Sequence, residues 1–448
     1  MKLAVIGGGG FRVPLIYRAL CSGAFAGLVD EICLYDADPS RAAAVALVAH
    51  DMPLPERAQP PRLTVCDRLE DALAAADVVF VATRPGGAAG RVRDERVAIA
   101  EGALGQETVG AGGLSYALRS TPEMLALAET ITRTCPNAWV INFTNPAGII
   151  TEALQPVLGQ RIIGICDSAS GLVRRASLAA GVPLPLGSLT GVDYVGLNHL
   201  GWLRGLEHDG GDLLPTLLAD PARLGSFEEG RVFGPQFLHM LGALPNEYLF
   251  YYYFHAEARR SVVGAAETRG ESLVRQQSGL YPALLSSDEP FAVWEAARRA
   301  REEGHLAEAR TAEESRDEAD LAGGGYEQVA LTVMRALLRN EPTELIVNVR
   351  NGNTIPQLPP DAVVEVPARV DGTGAAPLLV GTPTPHQLGL MSLVKAVEQD
   401  VIAAVVHGDR SLAVRAFALH PLIDSAHTAQ RLLRGYENAF PRLRSLWR

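Results

Sequence analysis

The chain has 448 residues, of which 48% are hydrophobic and 20% are charged, and its formal net charge is −11. This balance is that of a globular protein and excludes a mainly disordered or collagen-like chain. The length favours two or three domains. Because a net negative charge repels phosphate backbones and anionic membranes, we expect neither nucleic acid nor a membrane as a partner.

The chain begins with an apolar run after a single lysine, without the charged segment and long apolar stretch of a signal peptide. Its apolar runs are much shorter than the ~20 residues that cross a bilayer, so we expect a cytoplasmic protein. Five cysteines without CxxC spacing argue against a disulfide framework and against a structural zinc site. We therefore expect reduced thiols.

Short apolar runs alternate with alanine-rich stretches through residues 1–165. Buried strands of a parallel sheet have this pattern. Strands are predicted at Lys2–Ile6, Glu31–Tyr35, Leu63–Val65, Val78–Ala82, Trp139–Ile141 and Ile162–Ile165. Helices are predicted at Arg12–Ser22, Ser40–His50, Ala72–Ala76 and Pro122–Thr134. The sequence thus predicts an α/β fold, with a doubly wound parallel sheet in residues 1–165.

From residue 166 the pattern changes to longer helices with fewer strands, which predicts a mixed α+β domain over residues 166–448. Its predicted helices are Phe227–His255, Leu273–Ser286, Pro290–Arg316, Gly325–Arg339, Gln387–His407 and Arg410–Leu433, with β-like stretches at Glu344–Val349 and Val363–Pro367. The charged block Arg298–Glu318 favours a solvated helix or a mobile surface segment.

The first predicted strand runs into four glycines, Gly7, Gly8, Gly9 and Gly10, and a helix follows at once. Such a turn lets backbone N–H groups approach a pyrophosphate at the positive end of the helix. The second strand leads into Asp36, whose carboxylate can accept both hydroxyls of an adenosine ribose and would repel a 2′-phosphate. NAD is therefore favoured over NADP. The alternative is a turn that serves only packing, with Asp36 as a helix cap.

Strands four and five each lead into a polar loop, one with Thr83 and the other running from Asn142 to Asn145. Ligands of an open α/β sheet lie beyond the carboxyl ends of its strands, so both loops should border one crevice. We place Thr83 and Asn142 near the cofactor. Asn145, held extended before a proline, is expected to reach a sugar hydroxyl. Each asparagine taken singly is also an ordinary turn residue.

Charged residues stand beside a glycine-dense stretch in Arg91–Arg96 and Gly105–Gly113. Charges packed next to glycines favour a flexible binding loop over a solvated face.

A thiol and a carboxylate, Cys166 and Asp167, follow the sixth predicted strand, and an amide and an imidazole stand together at Asn198 and His199. A divalent ion held by one thiolate and one imidazole would keep positions open for substrate oxygens, and would be catalytic. Taken alone, Cys166 fits a buried small hydrophobe and His199 a core residue.

Four tyrosines fall within the six residues Tyr248–Tyr253. An aromatic stripe is typical of a core, which we expect for Tyr251 and Tyr253. Tyr248 and Tyr252 are four residues apart and share a helix face. A nearby cation would lower the pKa of one such hydroxyl and allow it to abstract a proton.

Together these segments resemble the NAD- and divalent-metal-dependent glycosidases of glycoside hydrolase family four, over nearly the whole chain. The motifs that carry the resemblance are Arg91–Glu95, Gly105–Gly113, Asn145–Ala147, Cys166–Asp167, Gly196–Trp202, Tyr248–Tyr252, Thr268–Arg269 and Val347–Gly352. The resemblance implies a fold like that of lactate and malate dehydrogenases: a Rossmann NAD-binding domain over 1–165, then a domain over 166–448 for substrate, metal and oligomer contacts. A homodimer or homotetramer is implied as well.

The resemblance also implies roles for single residues. Cys166 and His199 would hold Mn²⁺ or another divalent cation. Asp167 would be the general acid and Tyr248 the base, with Tyr252 in reserve. The substrate-contacting residues implied are Arg91, Asn145, Asn198 and Arg269.

The implied reaction departs from the two-carboxylate scheme of most glycosidases. NAD-dependent oxidation at C3 of the sugar makes the C2 hydrogen acidic, the base removes it, and the aglycone leaves from C1; water then adds and C3 is reduced again. The stretch from Asn246 to Tyr252 looks like that of 6-phospho-β-glucosidases.

Several alternatives stay open at this point. Gly10-Phe11-Arg12 stands where phospho-sugar members carry a pair of hydroxyl residues that helps to hold the phosphate. Either Arg12 makes a bidentate substitute contact or the glycoside is unphosphorylated. An α-glycosidase of the same family is the nearest other activity. From other classes, an NAD-dependent 2-hydroxy-acid dehydrogenase and a dinucleotide-sensing protein without turnover remain possible.

Overall fold

The computed structural model describes residues 1–303 and 326–447, and their strands join in one sheet of thirteen. The strands are β1 (Lys2–Ile6), β2 (Glu31–Tyr35), β3 (Arg62–Val65), β4 (Val78–Val81), β5 (Trp139–Asn142), β6 (Ile162–Gly164), β7 (Val192–Leu197), β8 (Leu200–His208), β9 (Gly211–Asp212), β10 (Leu244–Pro245), β11 (Thr343–Arg350), β12 (Val363–Asp371) and β13 (Gly374–Pro377).

Helices cover both faces of this sheet. They are α1 (Val13–Cys21), α2 (Pro39–His50), α3 (Leu69–Leu73), α4 (Gly87–Ala100), α5 (Gly110–Thr134), α6 (Ala147–Leu158), α7 (Ser168–Ala179), α8 (Leu214–Leu218), α9 (Pro221–Leu224), α10 (Glu228–Phe233), α11 (Pro235–Leu241), α12 (Phe250–Tyr253), α13 (His255–Gly264), α14 (Arg269–Gln277), α15 (Leu280–Ser286), α16 (Pro290–Glu303), α17 (Tyr326–Arg339), α18 (Pro385–His407), α19 (Arg410–Leu419), α20 (Ala426–Ala439) and α21 (Pro441–Arg444). None of these helices has the length and apolarity that crossing a membrane requires.

Six strands form a parallel half in the order β3-β2-β1-β4-β5-β6. Helices α1, α2, α15, α16 and α17 bury apolar side chains on one face, and α3, α5 and α6 do so on the other. Burial from both sides explains why β1 and β4 to β6 read as continuous apolar runs. The predicted doubly wound α/β fold is confirmed, and the observed strands begin and end within one residue of the predicted ones.

The sheet continues beyond β6 with antiparallel strands in the order β11-β12-β7-β8-β10. The change from parallel to antiparallel pairing comes near the expected boundary at residues 165 and 166, but the sheet itself is continuous across it. The division into two domains therefore stays a prediction. Strands β7 and β8 escaped prediction because glycines interrupt their pattern; a Cβ at Gly196 would lie only 2.3 Å from the Cα of Gly201 on the neighbouring strand.

The predicted flexible loop of Arg91–Arg96 and Gly105–Gly113 is wrong, since Arg91–Arg96 lies within α4 and Gly110–Gly113 opens α5. The glycines serve close packing instead. A Cβ at Gly112 would lie 2.1 Å from the carbonyl oxygen of Gln106.

Three predicted long helices are broken. Phe227–His255 divides into α10, α11, β10 and α12, with Gly234 and Gly242 at positive φ between the pieces. Leu273–Ser286 spans parts of α14 and α15, and Arg410–Leu433 spans α19 and part of α20. A helical apolar stripe can thus continue across a backbone break, so periodicity alone does not reveal the break.

The charged block Arg298–Glu318 is described only as far as residue 303, and residues 304–318 lie outside the described part of the chain. Arg298 is buried, not solvated, and its Nε donates to Glu295 at 2.8 Å.

Candidate active site

The loops that follow the parallel strands meet at one edge of the sheet, as predicted. The backbone N–H of Thr83, after β4, donates to Thr144 Oγ1, after β5, at 2.9 Å. The glycine turn after β1 reaches the loop after β6, since an Arg12 guanidinium nitrogen lies 3.3 Å from Asp167 Oδ2. The predicted crevice therefore exists.

The glycine turn is tightly packed at this edge. Gly7 has φ +91°, and a Cβ on it would lie 2.5 Å from the carbonyl oxygen of Ala82. The Asp36 carboxylate accepts a hydrogen bond from Gly9 N at 2.9 Å. Asp36 is not the helix cap of the alternative interpretation, because Asp38 caps α2. Asp36 stands instead beside the turn.

Two aromatic side chains from distant helices hold the same turn. The Tyr281 hydroxyl, on α15, donates to Gly9 O at 2.9 Å, and the Trp294 indole, on α16, donates to Phe11 O at 2.8 Å. Sequence reasoning missed both, because their partners lie more than 270 residues away along the chain.

Cys166 and His199 come together in the crevice. Cys166 follows β6, His199 lies in the turn between β7 and β8, and Cys166 Sγ is 3.6 Å from His199 Nε2. Both residues are buried, at 6% and 3% exposure. In zinc sites, a sulfur ligand lies about 2.3 Å and a nitrogen ligand about 2.1 Å from the ion. A sulfur and a nitrogen that bind one ion at a tetrahedral angle are therefore about 3.6 Å from each other. The pair therefore fits a shared cation.

Two protein ligands leave the other positions of such an ion open. Among the described residues, no group of three or more His, Cys, Asp and Glu side chains is arranged to hold a metal. Burial raises the pKa of the Cys166 thiol, and the negative charges of Asp167 and Glu365 raise it further. A bound divalent cation would oppose these effects, because it favours the thiolate.

Tyr248 lies against the imidazole of this pair. Its ring stacks on the His199 ring with centroids 3.8 Å apart and planes 12° apart. Burial raises the pKa of Tyr248 well above its usual value, and the negative charge of Glu247 adds to this. Tyr252, by contrast, points to His420, with ring centroids 6.3 Å apart. The structure thus places Tyr248 at the pair.

The other two tyrosines belong to packing, as expected. Tyr251 is 1% exposed, and the Tyr253 hydroxyl accepts a hydrogen bond from the Trp202 indole at 2.8 Å.

The short turn that carries Tyr248 is anchored to α7. Asn246 Oδ1 accepts from Tyr248 N at 3.0 Å. Ser168 Oγ donates to Glu247 at 3.2 Å, and Arg175 lies 3.8 Å from the same carboxylate. Since Ser168 is the residue after Asp167, this anchor fixes the expected base relative to the expected acid.

Glu107 forms a buried ion cluster next to the crevice. Arg91 donates to one of its carboxylate oxygens and Arg84 lies at the other, both at 2.5 Å. Burial alone would raise the pKa of Glu107, but the two arginines outweigh it and hold the pKa at about 2. The sequence placed Glu107 in the motif Gly105–Gly113 without indicating its role, because both arginine partners lie elsewhere in the chain.

Arg269 begins α14 close to Arg91. Gly270 N donates to Glu95 at 2.8 Å, and Arg91 donates to the other oxygen of Glu95 at 2.7 Å. The Arg269 guanidinium donates to Arg301 O at 3.0 Å. The two arginines that were predicted to contact substrate are therefore neighbours.

The three predicted asparagines differ in what their amides do. Asn142 accepts from Thr144 N at 3.0 Å and donates within the same loop. Asn198 accepts from Ala147 N at 3.1 Å and donates to a carboxylate. Asn145 Oδ1 is buried without a hydrogen-bond partner among the described residues. Asn142 and Asn198 thus brace loops, while Asn145 keeps an acceptor for a ligand.

The comparisons with known proteins agree with this geometry. Residues 2–180 match the model of family 4 glycosyl hydrolases, and residues 194–423 match the model of the family's C-terminal domain. The 6-phospho-beta-glucosidase of Thermotoga maritima is 28% identical over 97% of both chains. The 6-phospho-alpha-glucosidase of Leptotrichia buccalis is 28% identical over 96% of both chains.

A solved structure of the Thermotoga maritima 6-phospho-beta-glucosidase, which holds manganese, NAD⁺ and glucose-6-phosphate, has a TM-score of 0.80 to this chain. It is 27% identical, and the match covers 99% of both chains. The prediction of a glycoside hydrolase is confirmed. The two predicted cofactors, NAD and manganese, are both present in the structure of this relative. This chain belongs to glycosyl hydrolase family 4.

Proposed function

We propose that this chain hydrolyses 6-phospho-β-glucosides with NAD⁺ and a divalent cation such as Mn²⁺. The observation that carries the proposal is the buried Cys166–His199 pair with Tyr248 stacked on its imidazole and Asp167 next along the chain. The Thermotoga maritima relative supports it, since that enzyme is a 6-phospho-beta-glucosidase with manganese, NAD⁺ and glucose-6-phosphate in its structure.

Two cofactor positions follow from the site. The glycine turn at Gly7–Gly10 and the N-terminus of α1 would receive the NAD pyrophosphate, with Asp36 at the ribose and Thr83 nearby. Cys166 and His199 would hold the cation. When bound, NAD⁺ supplies a reversible hydride acceptor and the cation supplies a Lewis acid for sugar oxygens.

The remaining residues bind the sugar and move protons. The buried Oδ1 of Asn145 accepts a hydrogen bond from a sugar hydroxyl, which orients the ring. With the cation bound, the Tyr248 hydroxyl would ionise more readily, and its phenolate oxygen would take the proton from C2 once the neighbouring ketone has made that proton acidic. Asp167, which is half-buried and open to the crevice, gives a proton to the leaving oxygen on C1.

Arginines make the phosphate end of the site. Arg12 lies 3.3 Å from Asp167 and stands in the place of the family's hydroxyl pair, so we assign it the 6-phosphate. Arg91 and Arg84 are held by Glu107, which fixes their positions at the wall of the crevice. Arg269 adds a further positive charge beside them.

The α-anomer is the second candidate substrate, because the Leptotrichia buccalis relative, a 6-phospho-alpha-glucosidase, matches this chain with the same identity. The bond at C1 breaks by elimination after proton removal at C2, so the same residues serve both anomers. We also propose a homodimer or homotetramer, which rests on the family resemblance, and light scattering of the purified protein tests the subunit number. The proposed cytoplasmic location rests on the sequence pattern described above.

The deciding experiment uses four chromogenic glucosides, the α- and β-anomers with and without the 6-phosphate. NAD⁺ and Mn²⁺ are each added and withheld. We expect turnover of the 6-phospho-β-glucoside only when both cofactors are present. Preference for the α-anomer would move the assignment to the second candidate, and preference for unphosphorylated glucosides would refute the role of Arg12. No turnover of any of the four would refute the proposed function.

A further inference from the structure

A buried carboxylate that the proposed reaction does not use lies close to the proposed metal ligands Cys166 and His199, which we call the metal pair. Glu365, on β12, is 1% exposed and accepts three hydrogen bonds. Tyr194 donates its hydroxyl to Oε2 at 2.9 Å, and the amides of Asn198 and Asn348 donate to Oε1 at 3.2 Å each. We call these four residues the Glu365 cluster.

The cluster lies where the sheet is held by the least backbone pairing. Strand β12 pairs with β7 at a single residue pair, Glu365 with Gly196. Strand β11 pairs with β6 at a single residue pair, Asn348 with Gly164. The donors of the cluster come from β7, from the turn after it and from β11. The Tyr194 hydrogen bond to Glu365 therefore adds to the connection between β7 and β12, while the Asn348 hydrogen bond joins β11 to β12.

Asn198 connects the cluster to the metal pair. This residue directly precedes His199, and its Oδ1 accepts from the backbone N–H of Ala147, the first residue of α6, at 3.1 Å. One amide thus ties the turn between β7 and β8 to Glu365 on one side and to the start of α6 on the other.

The turn needs such support because His199 has φ +67°. A left-handed backbone at a non-glycine residue costs on the order of 1–3 kcal/mol and persists only when its surroundings fix it. The two hydrogen bonds of Asn198 hold the backbone next to this residue, and the His199 imidazole faces Cys166 at 3.6 Å.

We propose that Glu365 is a positioning residue for the metal site: through Asn198 it holds the His199 turn so that the imidazole faces the Cys166 thiol. The inference rests on the proposed function in that it takes Cys166 and His199 as metal ligands. Outer-shell partners of metal ligands typically contribute about 10- to 100-fold to metal affinity. Glu365 would act in this range without touching the metal or the substrate.

The test compares Glu365→Gln with a matched buried carboxylate, Glu152→Gln. Glu152 accepts from Lys395 at 2.7 Å, from Gln399 at 3.0 Å and from Val363 N at 2.8 Å, and none of these contacts reaches Asn198. Mn²⁺ binding is measured by the electron paramagnetic resonance signal of free Mn²⁺. NADH fluorescence gives cofactor affinity, and thermal unfolding gives stability.

We expect Glu365→Gln to weaken Mn²⁺ binding about 10- to 100-fold with unchanged NADH affinity, while Glu152→Gln lowers the unfolding temperature and leaves Mn²⁺ binding unchanged. If Glu365→Gln does not fold, Asn198→Ala breaks the same link and carries the same expectation. Unchanged Mn²⁺ affinity in the folded variant, or equal losses in the Glu365 and Glu152 variants, would overturn the inference. Failure of the wild-type protein to bind Mn²⁺ would overturn the proposed function with it, which is a distinguishable result.

Discussion

Replacing His420 by asparagine should remove part of the acid sensitivity of the fold. His420 is 4% exposed, and its Nδ1 accepts a hydrogen bond from Leu422 N at 3.1 Å. Burial, and after it the neighbouring His255, lowers its pKa from 6.5 to about 3. The folded protein therefore keeps this imidazole neutral, while the unfolded chain takes up a proton below its own pKa. Stability is present above the unfolded pKa and is lost as the pH falls towards the folded pKa.

Linkage gives the size of this effect. Each pH unit below the unfolded pKa costs about 1.4 kcal/mol, so His420 accounts for about 2 kcal/mol between pH 7 and pH 5. An asparagine oxygen can accept from Leu422 N as Nδ1 does, and it does not titrate. Urea unfolding at both pH values should thus show about 2 kcal/mol less acid destabilisation in His420→Asn than in the wild type. Other groups titrate alike in both proteins. Equal pH dependence of the two proteins would refute the reasoning.

Three further predictions test other parts of the structure, the last with a control substitution. Asp36→Ala removes the expected ribose acceptor, so NADH fluorescence should show at least about tenfold weaker NADH binding and a smaller preference over NADPH; an unchanged preference would contradict the role of Asp36. Cys166→Ser should lower Mn²⁺ affinity by more than about tenfold with NADH binding intact, and unchanged Mn²⁺ binding would contradict the ligand assignment. Gly112→Ala places a Cβ 2.1 Å from Gln106 O and should lower the free energy of unfolding in urea by about 1–3 kcal/mol. The control is Gly389→Ala, whose Cβ meets no neighbouring atom within 4 Å and should not destabilise α18. Equal effects of the two substitutions would show that α5 tolerates the side chain.

The parallel half of the sheet could be predicted because its signal is local. Val78–Val81 and Ile162–Gly164 are buried on both faces, so each reads as an unbroken apolar run. The antiparallel half gives a weaker signal. Gly196 in β7 and Gly201 in β8 let the two backbones approach closely. Because glycine is depleted in strands, these residues weaken the strand pattern in the sequence.

The residues of the site likewise divide into those that a local sequence signal predicts and those that only tertiary packing brings together. Cys166 and Asp167 are adjacent in sequence and follow a predictable strand, so their place at the crevice could be anticipated. The partners of the glycine turn could not. Tyr281 and Trp294 contact it only because α15 and α16 pack on the sheet, and no spacing in the sequence encodes that contact.

Polar loop residues show why position alone does not give a role. Asn142 and Asn145 lie three residues apart in the same loop. The Asn142 amide hydrogen-bonds within the loop, whereas Asn145 Oδ1 is buried with no hydrogen-bond partner in the part of the chain that the structure describes. Which of the two faces a ligand depends on the backbone path between them. That path is a tertiary property, so the sequence predicted the loop correctly but could not show that the Asn142 amide hydrogen-bonds within it.

The metal pair joins the two halves of the sheet. Cys166 follows the last parallel strand, whereas His199 lies in an antiparallel hairpin, and the strands between them meet at single residue pairs. A small shift at either junction would change the distance between thiol and imidazole. Because buried polar groups lose much of their stabilisation when one partner is removed, the hydrogen bonds of Tyr194 and Asn198 to Glu365 make a shift between β7 and β12 costly. Under the proposal above, the geometry of the site therefore depends on Glu365, which neither binds the metal nor lies near Cys166 or His199 in sequence.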